Sequence, residues 1–268
     1  MSKRKELRFF PFENQKPDLR GPGDDVDSSS MGMSIEDYRA FFAEGENYAV
    51  RGESSPLYLY MPRSAERIKH YLPEAKLIAV LRQPADRAHS HHMMLWRDGL
   101  ETLDFEEALA AEDQRVADNW GQRWHYRQRG FYAVQLKPYF DLFRREQLRI
   151  YLYEDYLNDP IGLMQDIFRF LNVDDTFVPD MSVRHNESRY PRSASLQRYL
   201  VEPRTSKNLI KHLVPTKLSR RVGDNVRRLN LQKPPLPEAM RRQLTEIYRE
   251  DIIELERMLG RDLSHWLR

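Results

Sequence analysis

One short stretch constrains the fold of this chain more than any other: an apolar run that ends at an arginine and turns at once into a helix. Residues 76–81 read Lys-Leu-Ile-Ala-Val-Leu. A continuous rather than alternating apolar run of this length predicts a strand buried on both faces, as in a parallel sheet. Arg82 follows directly, residues 83–84 form a Gln-Pro turn, and a helix is predicted over residues 85–96.

The rest of the chain alternates between strand-like and helix-like segments. A second strand is predicted over residues 148–153, with a helix over 161–171 after it. Residues 238–259 carry apolar side chains every three or four positions, which predicts an amphipathic helix closed by Gly260. Strands that alternate with helices indicate an α/β fold built on a parallel sheet.

Further elements are predicted from local signals. A short helix over residues 34–42 has Ser34 as its N-cap and Asp37 at its third position. The remaining predictions are a strand over 48–51 and helices over 64–71, 105–113 and 132–143.

The composition excludes several classes of protein. Hydrophobic residues make up 40% of the 268 residues, which is enough for a core, and charges of both signs are mixed, so the chain is not a disordered polyelectrolyte. The net charge is only +2, so bulk nucleic-acid binding is not indicated. The chain has no cysteine, which excludes disulfides, thiolate metal sites and cysteine nucleophiles. No signal peptide or membrane span is recognisable, and the expected location is the cytoplasm.

Arg82 and Ser90 are the first candidates for a binding site. Ligands of open α/β sheets bind beyond the carboxyl ends of the strands, where Arg82 stands. Ser90 falls in the second turn of the predicted helix, and a guanidinium, a hydroxyl and a helix N-terminus together suit a phosphate. The alternative is that Arg82 pairs with Asp86 and that Ser90 is an ordinary residue of the helix surface.

Residues 81–91 closely resemble the 3′-phosphate-binding segment of sulfotransferases that use 3′-phosphoadenosine 5′-phosphosulfate (PAPS). Four further segments resemble the heparan-sulfate-type and bacterial branch of that family, in the same order along the chain: residues 5–10, 52–58, 129–132 and 259–266. The resemblance therefore extends over essentially the whole chain.

The resemblance implies a P-loop-kinase-like parallel sheet flanked by helices. It also implies in-line transfer of a sulfuryl group from PAPS, a dissociable co-substrate, to a hydroxyl or amine without a metal. The expected partners are PAPS and an acceptor such as a sugar, a lipid or a small alcohol or amine. Glu6 matches the catalytic base of the family; the alternative is a solvated charge in a basic tail.

The same comparison with the family's motifs implies that five residues contact the nucleotide. Arg82 and Ser90 match the pair that holds the 3′-phosphate. Arg189, Tyr190 and Arg192 lie in the later loop that closes over the cofactor in the family, and they are candidates for phosphate and base contact. The alternative for these three is a basic surface loop.

Three positions depart from the heparan-type pattern. These departures affect the expected acceptor chemistry rather than the expected nucleotide binding. Arg8 and Met94 stand where histidines are common, and Ser54 stands where a lysine is common. His91 and His92 are near enough in sequence to substitute, or are histidines of the helix surface.

One expected motif is absent from the sequence. The family binds the 5′-phosphosulfate with a loop of the type Gly-x-x-Lys-x-Gly-Thr-[Ser/Thr] after its first strand, and no residues match it. We therefore expect one domain, residues 1–268, truncated at its N-terminus by a mis-assigned start or a gene fragment. The first strand is expected to lie between residues 76–81 and 148–153, so its loss would leave both with unpaired backbone and poor stability.

Two other functions are open at this point. A non-catalytic, truncated remnant could retain binding of adenosine 3′,5′-bisphosphate. An anionic-polymer-binding module could use the basic cluster of residues 207–233; the alternative is that this cluster is an ordinary solvated surface. The cluster consists of Lys207, Lys211, Lys217, Arg220, Arg221, Arg227, Arg228 and Lys233.

Overall fold

The computed structural model of the chain describes residues 1–28, 31–180, 190–191, 231–232 and 235–268. The helices, in chain order, are α1 (Phe9–Phe12), α2 (Asp24–Ser28), α3 (Ile35–Ala40), α4 (Leu57–Tyr60), α5 (Arg63–Tyr71), α6 (Pro84–Arg97), α7 (Phe105–Ala110), α8 (Glu112–Ala117), α9 (Tyr132–Leu142), α10 (Tyr153–Asn158), α11 (Pro160–Leu171) and α12 (Glu238–Leu259). The strands are β1 (Leu77–Leu81), β2 (Leu148–Leu152), β3 (Tyr190–Pro191) and β4 (Leu231–Gln232).

Strands β1 and β2 form a parallel pair. Their register runs from Leu77 opposite Leu148 to Leu81 opposite Leu152. The predicted α/β fold with a parallel sheet is therefore confirmed. The expectation that an absent strand separates these two segments is wrong, because they bond directly to each other.

The two faces of this sheet differ in burial. Leu81 and Leu152 are each 1% exposed and belong to the main core, whereas Ile78 and Val80 are 39% and 53% exposed. The prediction that β1 is buried on both faces is wrong. Helix α11 contacts the β2 side of the second face, where the Tyr151 hydroxyl donates a 2.6 Å hydrogen bond to its Asp166.

Two apolar clusters hold the helices to the sheet. The main cluster joins β1, β2, α6 and α9 to the long helix α12, whose buried side chains include Leu244, Tyr248 and Leu255. Gly130 lies where an added Cβ would come within 2.7 Å of the Tyr248 ring, so no larger residue fits there. The second cluster packs the N-terminal Leu7, Phe9 and Phe10 against α5 and α9. Its other buried members are Tyr38, Ala65, Ile68, Tyr139, Phe143 and Leu148.

Local signals set most of the helix ends. Helix α3 begins with the predicted capping box of Ser34 and Asp37, and α12 ends at Gly260, whose φ of 62° is left-handed. The helix predicted over residues 105–113 is divided into α7 and α8, and the strand predicted over 48–51 does not form.

Within the part of the chain that the structure describes, no helix combines the length and the apolar character that crossing a bilayer requires.

The buried His92 predicts a loss of stability in acid. Its imidazole is 1% exposed, donates from Nε2 to the Leu103 carbonyl at 3.0 Å, and has its pKa lowered by burial. Below about pH 6.5 the unfolded chain binds a proton that the folded imidazole does not, so folding weakens by up to about 1.4 kcal/mol per pH unit.

We expect His92→Gln, which retains a donor at this place, to make the free energy of unfolding less dependent on pH between about pH 7 and pH 5. Urea denaturation at several pH values measures this. His70→Gln is the control, because His70 is exposed. An unchanged pH dependence in His92→Gln would contradict the assignment.

Candidate active site

Arg82 stands at the carboxyl edge of the parallel pair. It follows the last residue of β1, and α6 begins two residues later, with the Gln83 side chain accepting from the Asp86 amide at 2.8 Å. The Arg82 carbonyl accepts a 2.9 Å hydrogen bond from the Tyr132 hydroxyl. Its guanidinium carbon lies 5.3 Å from the ring centre of Tyr153, the residue that follows β2.

The guanidinium of Arg82 is not neutralised by its neighbour in the helix. Asp86 forms its ion pair with Arg241 of α12, at 2.6 Å. The alternative in which Asp86 pairs with Arg82 is therefore wrong, and no carboxylate among the described residues forms an ion pair with Arg82. A half-buried guanidinium at the end of a strand, without an ion pair in the described part of the chain, suits an anionic ligand.

Helix α6 places Ser90 and the two histidines differently. Ser90 lies in its second turn and is half-buried. His92 faces the core, so the alternative that it is a helix-surface histidine is wrong, while its substitution in acceptor chemistry stays a prediction. His91 is half-buried, and its Nδ1 has no hydrogen-bond partner among the residues that the structure describes. Burial, reinforced by Arg129 and Arg87, holds the pKa of His91 well below the ordinary value.

A cluster of charged and aromatic side chains extends from α6 towards the N-terminal segment. The Arg129 guanidinium lies 5.9 Å from the Tyr60 ring centre, and the Tyr60 hydroxyl contacts His125 Nδ1 at 2.7 Å. Burial first, and then the positive charge of Arg87, lower the pKa of Arg129 to about 10, while Glu6 acts in the opposite direction. The proposed base therefore lies within electrostatic reach of Arg129.

Glu6 occupies a strained stretch of backbone. Its φ is 56° and that of Arg8 is 55°, a left-handed conformation that costs non-glycine residues on the order of 1–3 kcal/mol each. Arg8 Nη2 lies 3.3 Å from Glu6 Oε2, and both side chains are partly exposed. Conformations of this kind persist only where the surrounding contacts enforce them.

The C-terminal segment fastens the carboxyl ends of both strands. Gln83 Nε2, after β1, donates to the Trp266 carbonyl at 3.2 Å, and the Trp266 indole donates to Glu154, after β2, at 3.0 Å. Arg261 also pairs with Asp155 at 2.6 Å. These contacts fix the turn that carries Arg82.

Two of the predicted nucleotide contacts, Arg189 and Arg192, lie outside the described residues, as does the basic cluster of residues 207–233 apart from the backbone of 231–232. For Tyr190 only the backbone is described: with Pro191 it forms β3, which pairs antiparallel with β4. The structure thus brings Arg82, the helix of Ser90 and the segment of Glu6 around one cluster, while the roles of all six predicted residues stay predictions.

Comparison with known proteins decides the family. A family model described as "Sulfotransferase family" matches residues 19–177, more than half of the chain. The chain belongs to the sulfotransferase family. A crystal structure of a sulfotransferase from Alicyclobacillus acidocaldarius superimposes with a TM-score of 0.75 at 30% identity, covering 100% of this chain and 87% of that one. The predicted resemblance to the PAPS-dependent family is confirmed.

The curated relatives that this chain matches are much longer proteins. It is 25% identical over 242 residues to the mouse bifunctional heparan sulfate N-deacetylase/N-sulfotransferase 4, covering 87% of this chain and 25% of the relative. It is 29% identical over 122 residues to the mouse carbohydrate sulfotransferase 15, covering 40% and 22%. The chain thus spans about a quarter of the length of the curated relatives it matches.

Tyr132 and Tyr153, which the structure places around the site, have no role that could be predicted from the sequence alone. Tyr132 belongs to the Arg-Gly-Phe-Tyr segment that carried part of the resemblance, yet its bond to the Arg82 carbonyl depends on tertiary structure. Tyr153 was part of a predicted strand, and its place beside Arg82 follows only from the register of β1 and β2. Arg87, by contrast, belongs to the same Arg-x-Pro-x-x-Arg-x-x-Ser pattern as Arg82 and Ser90, which predicts an anion site, and it lies one helical turn before His91 in α6.

Arg82→Ala tests the nucleotide site. We expect binding of adenosine 3′,5′-bisphosphate to weaken by about 1.5–3 kcal/mol, because a charge-assisted contact to the 3′-phosphate is lost. Isothermal titration calorimetry measures it. Arg144→Ala is the control, since Arg144 forms an exposed pair with Glu74 before β2, at the opposite end of the sheet. Unchanged affinity in Arg82→Ala would remove this residue from the site.

Proposed function

We propose that this sulfotransferase moves a sulfuryl group from PAPS to a hydroxyl or amine of an acceptor. Membership of the family supports the sulfuryl transfer. The observation that supports the nucleotide site is the position of Arg82 at the carboxyl edge of the sheet. Tyr132 bonds to the carbonyl of Arg82, and the Arg82 guanidinium lies beside the Tyr153 ring without an ion pair among the described residues.

Arg82 and Ser90 hold the 3′-phosphate in this proposal. A guanidinium presents a planar set of N–H donors that matches a phosphate, and the hydroxyl of Ser90 donates to the same group. The N-terminal end of α6 adds a partial positive charge. Arg189, Tyr190 and Arg192 complete the nucleotide contacts. No residue is assigned to the 5′-phosphosulfate, because the sequence contains no match to the loop that binds it in the family.

Glu6 is the proposed general base. As the acceptor oxygen or nitrogen forms its bond to sulfur, its proton passes to the Glu6 carboxylate. The bond between sulfur and the 5′-phosphate oxygen breaks, and adenosine 3′,5′-bisphosphate leaves with that electron pair. Proton removal by a positioned side chain typically contributes ~10²–10⁴-fold. The chain's other task is to orient donor and acceptor in line, as in phosphoryl transfer.

The proposed acceptor is a carbohydrate. Both curated relatives carry a carbohydrate in their names, one as heparan sulfate with transfer to nitrogen and the other as a carbohydrate sulfotransferase. A lipid, a small alcohol or an amine is the alternative acceptor that the assays distinguish.

Glu6→Gln tests the base. We expect turnover with a carbohydrate acceptor to fall by ~10²–10⁴-fold, because the amide cannot take the proton, while bisphosphate affinity is retained. Transfer of labelled sulfate and calorimetry measure the two quantities. Glu44→Gln is the control, since Glu44 is an exposed carboxylate that pairs with Lys3 near the same segment.

Two results would overturn parts of this proposal. Normal turnover in Glu6→Gln would exclude Glu6 as the base. Bisphosphate binding by the unaltered chain without transfer to any carbohydrate, lipid or amine acceptor would favour the non-catalytic remnant.

A further inference from the structure

The segment that carries Glu6 is held by three side chains from residues 53–58, the loop before α4 and the first turn of that helix. Three consecutive backbone amides donate to them: Leu7 to Glu53 Oε2 at 3.4 Å, Arg8 to Ser55 Oγ at 3.2 Å, and Phe9 to the Tyr58 hydroxyl at 3.2 Å. The Ser2 amide adds a 2.9 Å bond to the carbonyl of Gly52, at the start of the same loop.

Glu53 is the common acceptor of this network. The Ser55 hydroxyl donates to Glu53 Oε2 at 2.8 Å, and the Tyr58 hydroxyl donates to Oε1. Each hydroxyl therefore accepts from the backbone and passes its own proton towards one carboxylate, an arrangement in which the bonds strengthen one another. Burial, followed by the charge of Glu53, raises the pKa of both Tyr58 and Tyr38, which keeps these phenols protonated.

The network acts where the backbone most needs support. Glu6 and Arg8 are the two left-handed residues of the segment, and the bonded amides belong to Arg8 and to its neighbours on either side. The side chains of Leu7 and Phe9 are 0% and 1% exposed, so apolar packing holds the segment from within while the Glu53 loop holds its amides. Packing alone does not dictate the φ of Glu6, because this side chain lies outside the core.

We propose that Glu53 is a positioning residue for sulfuryl transfer: through Ser55 and Tyr58 it holds the backbone of residues 6–9 in the conformation that directs the Glu6 carboxylate at the acceptor. This inference rests on the proposed role of Glu6 as base. Glu53 does not exchange a proton with the acceptor, because its two oxygens already accept from Leu7, Ser55 and Tyr58.

The first test measures the segment itself and does not depend on activity. In Glu53→Gln the amide cannot accept all these bonds, so we expect hydrogen exchange at the amides of residues 7–9 to accelerate by about tenfold or more. Tyr58→Phe, which removes one hydroxyl, is expected to act in the same direction. Tyr139→Phe is the matched control, because its hydroxyl donates to the Tyr58 carbonyl and not to Glu53.

The second test is a double-mutant cycle on kcat. Glu53→Gln is expected to lower kcat by about 10²-fold, since misplacing a catalytic group by about an ångström costs this much. Bisphosphate affinity is expected to stay unchanged. In the Glu6→Gln background the same change is expected to lower kcat by less than about twofold, because Glu53 acts only through Glu6.

The outcomes separate this inference from the proposed function. Exchange at residues 7–9 that is as slow in Glu53→Gln as in Tyr139→Phe would overturn the positioning role. So would full kcat in Glu53→Gln, or an equal loss of kcat with and without the Glu6 carboxylate. Absence of sulfate transfer by the unaltered chain would instead overturn the proposed function and with it the catalytic meaning of the network, whether or not exchange accelerates.

Discussion

The direct parallel pairing of β1 with β2 is the interaction on which the rest of the site depends. It ends both strands at one edge, so the residues that follow them, Arg82 and Tyr153, meet with the guanidinium over the ring. A shift of the register by one residue would move the end of one strand by about 3.3 Å relative to the other and would separate Arg82 from Tyr153. Tyr132 from α9 and Trp266 from the C-terminus then fix the two turns, which explains why segments distant in sequence belong to one site.

The charged side chains beside this edge of the sheet are partly buried, so each charge shifts the pKa values of its neighbours. Arg87 places a positive charge near Arg129 and lowers the pKa of Arg129. The carboxylates of Glu6 and Glu112 act in the opposite direction, Glu6 on the pKa of Arg129 and Glu112 by raising the pKa of the neighbouring Tyr60. Glu112 accepts from the Arg127 and Gln128 amides at 2.6 and 2.9 Å, so backbone donors, rather than a salt bridge within the described residues, stabilise its carboxylate. Arg87 and Arg129, both half-buried, therefore lie close together without an ion pair to Arg129 among the described residues, because nearby carboxylates offset part of their charge.

The sequence predicted those elements whose signals are local, and it failed where partners come from elsewhere. Residues 48–51 have strand-like composition, yet Tyr48 and Val50 are 73% and 38% exposed, and a strand without a neighbour cannot bond its backbone. The apolar run of β1 suggested burial on both faces, but among the described residues α11 covers the second face mainly over β2. Residues 105–113 lack a glycine or proline to mark the break between α7 and α8, which accompanies the fully buried Glu112.

By itself, the sequence determined the strand–turn–helix around Arg82, the capped ends of α3 and α12, and the family, because these depend on short runs of residues whose order is directly visible. Only the tertiary structure decided that β1 and β2 pair directly, that Asp86 turns to Arg241 and leaves Arg82 without an ion pair in the described part of the chain, and that Glu53 holds the strained backbone beside Glu6. These contacts join residues tens to more than a hundred positions apart, and their energies depend on burial and register that no local pattern encodes.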